Sequence, residues 1–222
     1  MSLPAARAVE IILRGGVVPI VRLPNLEAAG RLAQTLLDAG VTAYELTLTS
    51  PGALGVLKRL RGEVLAFEDG RAVIGAGSVM TESQADEAIS AGAQFIVSPV
   101  ADARLIARCV KRDTAVLPGA LTPQEIHAAW SQGASLVKVF PAHVFGPVYM
   151  QDLLAPMPQL KLIPTGGITL ENAADYIRGG AAAIGVGSSL VNPARIAAGQ
   201  WNLLAVTAQS FRDAVQAGRI SR

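Results

Sequence analysis

A lysine lies inside a segment of the chain that is otherwise apolar, at residues 136–141. The segment reads as a buried strand, and Lys138 is its only charged residue. An ammonium group is rarely buried without a partner, and burial lowers the pKa of a lysine because it disfavours the charged form. A neutral lysine amine is a nucleophile that forms Schiff bases with carbonyl compounds. Two structural interpretations stay open from this segment alone: an ammonium group that reaches water at the strand end, or one paired with a buried carboxylate.

Two further charged residues fall on the inner face of predicted strands. In residues 44–49 apolar and polar side chains alternate, which puts Glu45 on the face opposite to Leu46. Because the apolar face should pack on helices, Glu45 is expected to point inwards. We predict that Glu45, Arg22 and Lys138 converge near the C-terminal ends of their strands, where (β/α)8 barrels carry active sites. The alternative is a structural ion-pair network, which would add little stability.

Glycine-rich segments follow the last two predicted strands, at residues 164–169 and 185–189. In a (β/α)8 barrel this is the usual place for a phosphate, which binds backbone amides and a helix N-terminus. A third segment, 75–78, consists of small residues that allow a ligand to approach the backbone closely. It ends in Ser78, whose hydroxyl suits a ligand carboxylate. Tight strand-to-helix turns are the structural alternative for all of these segments.

Histidine and cysteine do not indicate a metal or a second nucleophile. His143 comes five residues after Lys138 and is expected near the mouth of the site, whereas His127 lies in a predicted helix. No ligand cluster is present, so neither a metal nor another cofactor is predicted. The single cysteine, Cys109, reads as a small core residue and fits a reducing compartment.

Strand, turn and helix repeat along the chain to position these residues. The predicted strands are 17–22, 44–48, 73–79, 95–99, 115–120, 136–141, 161–166 and 183–188. The predicted helices are 4–14, 26–39, 81–91, 102–112, 123–132, 170–178 and 201–217. Thr81, Asp102, Thr122 and Thr169 stand at N-cap positions, and Glu125 completes a capping box with Thr122.

The repeat predicts an α/β fold, a (β/α)8 TIM barrel with an N-terminal helix, formed by residues 1–222 as a single domain. A doubly wound open sheet is the structural alternative, but it usually carries a glycine fingerprint after its first strand, and that fingerprint is missing here. No composition shift or low-complexity stretch divides the chain.

Composition narrows the class of partner. The chain of 222 residues has 19 basic and 17 acidic residues, a net charge of +2, and no basic block, so nucleic acid is not an expected partner. The longest apolar run, 181–191, is too short to span a bilayer, so no membrane is expected either. With no signal peptide evident, a cytoplasmic location is expected.

Several motifs occur in an order that resembles a known family. They are residues 45–48, 75–79, 98–99, 118–119, 138–142 and 164–168. Over about residues 7–191 the chain resembles the class I bacterial aldolases typified by 2-keto-3-deoxy-6-phosphogluconate (KDPG) aldolase, which also include enzymes for 4-hydroxy-2-oxoglutarate (KHG) and for the galactonate epimer.

The resemblance implies a homotrimeric (β/α)8 barrel in which Lys138 forms a Schiff base with a 2-keto acid and Glu45 is the acid/base. It places the keto-acid carboxylate at Ser78 and the phosphate at the glycine-rich segments. The substrate-binding residues predicted from the motifs and the resemblance together are Arg22, Thr49, Ser78, Pro99, Phe140, Thr165, Gly166, Gly167, Gly187 and Ser188.

One position departs from the family pattern. Many gluconate-type members carry an arginine where this chain has Thr49, while residues 48–51 and 145–147 look closer to the galactonate branch. That branch also carries an arginine at the position of Arg22, which is expected to supply the missing cation. The sugar epimer therefore stays open.

The expected reaction is the cleavage of a 6-phosphorylated 2-keto-3-deoxy sugar acid to pyruvate and glyceraldehyde 3-phosphate. Two other functions stay open from the residues. One is a phosphate-binding barrel isomerase or synthase that uses Glu45 and Lys138 without a covalent bond. The other is a non-catalytic sugar-phosphate binder, which would not need both residues.

Overall fold

Parallel strands alternate with helices along the chain. The computed structural model describes residues 3–220. Within them the strands are β1 (Val17–Val21), β2 (Ala43–Thr47), β3 (Val73–Gly77), β4 (Phe95–Val97), β5 (Ala115–Leu117), β6 (Gly119–Ala120), β7 (Val137–Val139), β8 (Leu162–Pro164) and β9 (Ile184–Val186). The helices are α1 (Ala5–Gly15), α2 (Ala29–Asp38), α3 (Ala53–Glu63), α4 (Leu65–Glu68), α5 (Glu82–Ser90), α6 (Ala103–Lys111), α7 (Pro123–Ser131), α8 (Val148–Leu154), α9 (Leu170–Arg178), α10 (Pro193–Ala197) and α11 (Trp201–Ile220).

The strands pair in parallel in two sheets. Six strands pair in the order β5-β4-β3-β2-β1-β9, and three pair in the order β6-β7-β8. An isolated parallel bridge between Thr165 and Gly185 connects the end of β8 to β9. An α/β fold with a curled parallel sheet is therefore confirmed.

The predicted strands are found, with one interruption. The fifth, expected over 115–120, is divided into β5 and β6 at Pro118, which has no N–H to donate to a ladder. Beyond Pro118 the chain leaves β4 and pairs with β7, where Gly119 lies opposite Lys138. Gly119 is required there, because a Cβ at this position would overlap the carbonyl group of Pro99.

Apolar residues cover both faces of the strands. On the inner face, Ile11 and Ile12 of α1 pack with Phe95 and Ile163. On the outer face, side chains such as Leu46 pack against the helices. Glu45 therefore lies on the inner face, as the alternation of residues predicted. Helix α1 covers one end of this inner cluster, and the candidate site described below lies at the opposite end.

The predicted N-caps are largely observed as hydrogen bonds. Thr81 and Asp102 accept bonds from backbone amides in the first turns of α5 and α6. The capping box is present, with Glu125 N donating to Thr122 Oγ1 at 3.3 Å and Thr122 N donating to Glu125 Oε2 at 2.8 Å. Thr169 is the N-cap of α9, also within a capping box.

Other helices differ from the prediction. The helix expected over 26–39 begins only at Ala29, and α3, α4, α8 and α10 were not predicted individually. Helix α3 contains Gly55 and Gly62, which weaken the helical signal, and buried Leu57 and Leu60 stabilise it through packing. Within residues 3–220, no helix combines the length and apolarity needed to cross a membrane.

Candidate active site

A cavity of about 350 Å³ opens beyond the C-terminal ends of the strands. Its lining includes nine of the ten predicted substrate-binding residues and Lys138; Thr49 and Glu45 are not part of the lining. Lining residues that sequence reasoning did not single out are Ile20, Ile168, Ser189, Val191 and Pro193. Ile168 and Ser189 lie inside the predicted glycine-rich segments 164–169 and 185–189, which is the signal that could have identified them.

Lys138 occupies the centre of β7 and faces this cavity. Its amide donates to Pro118 O at 2.9 Å, and only 8% of the residue is exposed. Its Nζ atom lies 4.8 Å from the centre of the Phe140 ring. Burial lowers the pKa of Lys138, Arg22 lowers it further, and the carboxylate of Glu45 opposes both effects. The lowered pKa increases the fraction of neutral, nucleophilic amine.

Glu45 lies on β2, outside the cavity lining, with 3% of the residue exposed. Its carboxyl group packs directly over Gly77, where a Cβ would overlap it. Burial raises the pKa of Glu45, while the positive charges of Lys138 and Arg22 partly offset the increase. Within residues 3–220 Glu45 forms no ion pair within 4.0 Å, so its charge interacts with Lys138 and Arg22 over a longer distance. A carboxyl group with a raised pKa is suited to acid/base catalysis near neutral pH.

Arg22 lies one residue beyond β1 and meets Ser78 at the rim. Its Nη2 atom donates to Ser78 Oγ at 3.4 Å. Ser78 adopts φ +60°, a conformation that is uncommon for a residue other than glycine. Such outliers cluster at functional sites, and this one places a hydroxyl and a guanidinium group on the same cavity wall.

Thr49 is held by the threonine two residues before it. Its Oγ1 atom donates to Thr47 Oγ1 at 3.1 Å, and Thr47 in turn donates to Val21 O at 3.1 Å. The structure therefore brings Arg22 to the cavity but uses the Thr49 hydroxyl in a chain of hydrogen bonds beside it.

Backbone amides of the loops after β8 and β9 line another part of the cavity. Gly166 and Gly167 follow β8 with φ +92° and +77°, and Gly187 and Ser188 follow β9. Among residues 3–220, no backbone acceptor is found for the N–H groups of Gly167, Gly187 and Ser188 or of Ile168 and Ser189. Gly166 differs, because the parallel bridge between Thr165 and Gly185 directs its N–H towards Gly185 O. A group of unpaired amides on two adjacent loops forms an anion-binding surface.

His143 packs against the loop of Gly166 and Gly167. Its backbone N–H donates to Gly166 O at 3.1 Å, and a Cβ at Gly167 would lie 2.5 Å from His143 Cβ. His143 was expected near the mouth of the site, and in the structure it contacts the loop of Gly166 and Gly167. In the described part of the chain, no three histidine, cysteine or acidic residues are grouped as metal ligands.

These features agree with comparisons to known proteins. Residues 9–207 match the family described as "Aldolase: KDPG and KHG aldolase". The chain is 35% identical to the 2-dehydro-3-deoxy-phosphogluconate aldolase of Treponema pallidum, over 90% of this chain and 93% of that protein. It is also 35% identical to the 2-dehydro-3-deoxy-6-phosphogalactonate aldolase of Escherichia coli, over 82% of this chain and 87% of that protein.

A solved structure connects the same fold to the chemistry. The KDPG aldolase from Legionella pneumophila, solved with pyruvate captured at low pH as a covalent carbinolamine intermediate, is similar with a TM-score of 0.83. It is 29% identical over 92% of this chain and 97% of that chain. The chain therefore belongs to the KDPG and KHG aldolase family.

Proposed function

We propose that the protein is a class I aldolase that cleaves a 2-keto-3-deoxy-6-phospho sugar acid to pyruvate and glyceraldehyde 3-phosphate. One observation carries the proposal. A buried lysine with a lowered pKa faces a cavity whose lining includes unpaired backbone amides of the loops after β8 and β9. An electrophilic ketone and a phosphate on one small molecule would satisfy both features together.

In the reaction, the neutral amine of Lys138 attacks the C2 ketone to give a carbinolamine, which loses water to form an iminium ion. Glu45, through a water molecule, removes the proton of the C4 hydroxyl group. The C3–C4 bond breaks, its electron pair forms the enamine on Lys138, and glyceraldehyde 3-phosphate leaves. Glu45 then returns a proton to C3, and hydrolysis of the iminium ion releases pyruvate and the free amine.

The cavity wall suggests where the rest of the substrate binds. We propose that the phosphate binds in the loops of Gly166 and Gly167 and of Gly187 and Ser188, with the free amides of Gly167, Gly187 and Ser188 as donors, and that the carboxylate binds near the Ser78 hydroxyl. Pro99, Phe140 and Thr165 shape the space between them. This assignment is supported by the lining of the cavity and by the unpaired amides.

Substrate choice at C4 is assigned to Arg22. Its guanidinium group carries a planar set of donors at the rim, whereas Thr49 contributes no charge and lies outside the lining. We propose that both the gluconate and the galactonate epimers are cleaved, with 4-hydroxy-2-oxoglutarate as a further substrate. Related proteins named for each epimer support this range.

We further propose that the strands close into one (β/α)8 barrel preceded by α1, and that residues 1–222 form a single domain. Treating β5 and β6 as one interrupted strand leaves eight, and the bridge between Thr165 and Gly185 joins the two sheets at the other side. A homotrimer in the cytoplasm is proposed from the family resemblance. Light scattering coupled to gel filtration would test the trimer, and a monomer mass would contradict it.

Borohydride trapping with pyruvate tests the proposed function. Reduction should add one pyruvyl group to the intact protein at Lys138, and Lys138→Ala should lose both the adduct and the cleavage activity. Lys161→Ala is the matched control, because Lys161 is exposed one residue before β8 and should keep both. Labelling at Lys161, or cleavage without any adduct, would overturn the proposal in favour of non-covalent chemistry.

A further inference from the structure

The loop after β8 is fixed on one side by hydrogen bonds to three successive carbonyl groups. The bonds join Ala142 N to Thr165 O at 2.8 Å, His143 N to Gly166 O at 3.1 Å and Asn172 Nδ2 to Gly167 O at 2.9 Å. Two of the donors are backbone amides of the turn that follows β7. The third is a side chain, which makes it the one contact of the three that a substitution can remove.

These bonds determine where the next amides point. A trans peptide unit is planar, so its C=O and N–H groups point in opposite directions. Holding the carbonyls of Thr165, Gly166 and Gly167 therefore directs the N–H groups of Gly166, Gly167 and Ile168 to the other side. All three residues line the cavity. The N–H of Gly166 faces Gly185 O across the bridge between Thr165 and Gly185, whereas in residues 3–220 no backbone acceptor is found for the N–H groups of Gly167 and Ile168.

Asn172 is itself held in a single orientation. Its Oδ1 atom accepts a bond from Thr169 N at 2.9 Å, while its Nδ2 atom donates to Gly167 O. One turn later on α9, the Tyr176 hydroxyl donates to Ala142 O at 3.0 Å. Helix α9 therefore contacts both the loop after β8 and the turn after the strand of Lys138.

We propose that Asn172 is a positioning residue for the anionic group of the substrate. It lies outside the cavity lining and acts through the peptide between Gly167 and Ile168, whose N–H it directs towards the phosphate. The inference rests on the proposed function, because it assumes that the amides after β8 receive the phosphate. It adds a residue that determines affinity for the phosphorylated half of the substrate and leaves the ketone half unaffected.

The aldol-addition direction separates the two halves, since pyruvate and glyceraldehyde 3-phosphate are then independent substrates. In Asn172→Ala the Michaelis constant for glyceraldehyde 3-phosphate should rise roughly five- to tenfold, the effect of losing about one net hydrogen bond. The Michaelis constant for pyruvate and the yield of the borohydride adduct should stay within about twofold of wild type, because Lys138 does not depend on this peptide.

Glu171→Ala is the matched control. Glu171 is an exposed neighbour whose carboxyl pKa is lowered by its interaction with the Thr169 side chain, so the control perturbs the start of α9 without touching Gly167. It should leave both Michaelis constants near wild type. An unchanged constant for the phosphorylated substrate in Asn172→Ala, or an equal rise for pyruvate, would overturn the inference. Absence of a pyruvyl adduct in the wild-type protein would instead refute the proposed function.

Discussion

Gly77→Ala should displace the carboxyl group of Glu45, the proposed acid/base, and leave Lys138, the proposed nucleophile, in place. A Cβ at Gly77 would lie 2.6 Å from Glu45 Cδ and 2.8 Å from Glu45 Cγ, whereas ordinary contacts are 3.4–4 Å. The backbone at Gly77 is not in the left-handed region, so alanine itself introduces no strain there. The carboxyl group of Glu45 must therefore shift by about 1 Å, and a displacement of this size at a reacting group can cost about 10²-fold in rate.

The assay compares turnover with Schiff-base formation. We expect kcat for cleavage to fall about 100-fold in Gly77→Ala, while borohydride traps pyruvate on Lys138 nearly as well as in wild type. Gly55→Ala is the matched control, because a Cβ at Gly55 meets no atom within 4 Å. It should leave kcat unchanged and stabilise α3 by about 0.5–1 kcal/mol. Wild-type kcat in a folded Gly77→Ala protein would refute the placement of Glu45 as the acid/base.

Three further outcomes are expected. Glu45→Gln should lower kcat by about 10²–10⁴-fold and retain the pyruvyl adduct, and full activity would exclude the acid/base role. At low pyruvate concentration, adduct formation should increase as the pH rises past the lowered pKa of Lys138, because the neutral amine is the attacking form. In Glu45→Gln this increase should occur at lower pH, since the carboxylate that raises the pKa of Lys138 is lost. If adduct formation had the same pH dependence in Glu45→Gln as in wild type, Glu45 would not influence the pKa of Lys138. Steady-state kinetics should give a clearly higher Michaelis constant for Arg22→Lys and little change for Thr49→Ala, because only Arg22 lines the cavity; the reverse result would mean that Arg22 does not compensate for Thr49.

The buried position of Lys138 and the inner face of the fold could be predicted from local pattern. Lys138 stands alone in an apolar strand, and the alternation around Glu45 assigns its side chain to the inner face because strand side chains alternate with a period of two. Glycine-rich segments after the last two predicted strands indicated an anion site, because their composition is also visible in a few consecutive residues. Each of these signals lies within a few consecutive residues, so it can be recognised before the chain is folded.

Contacts between distant segments depended on the tertiary structure. The sequence does not indicate that Gly77 lies under the carboxyl group of Glu45, or that Asn172 would hold Gly167 O. Thr49 followed the same motif as Glu45, yet its hydroxyl is bonded to Thr47 and lies outside the cavity lining. A residue's type and spacing predict its strand face, but pairing between strands and packing of α9 decide which atoms are within hydrogen-bond distance.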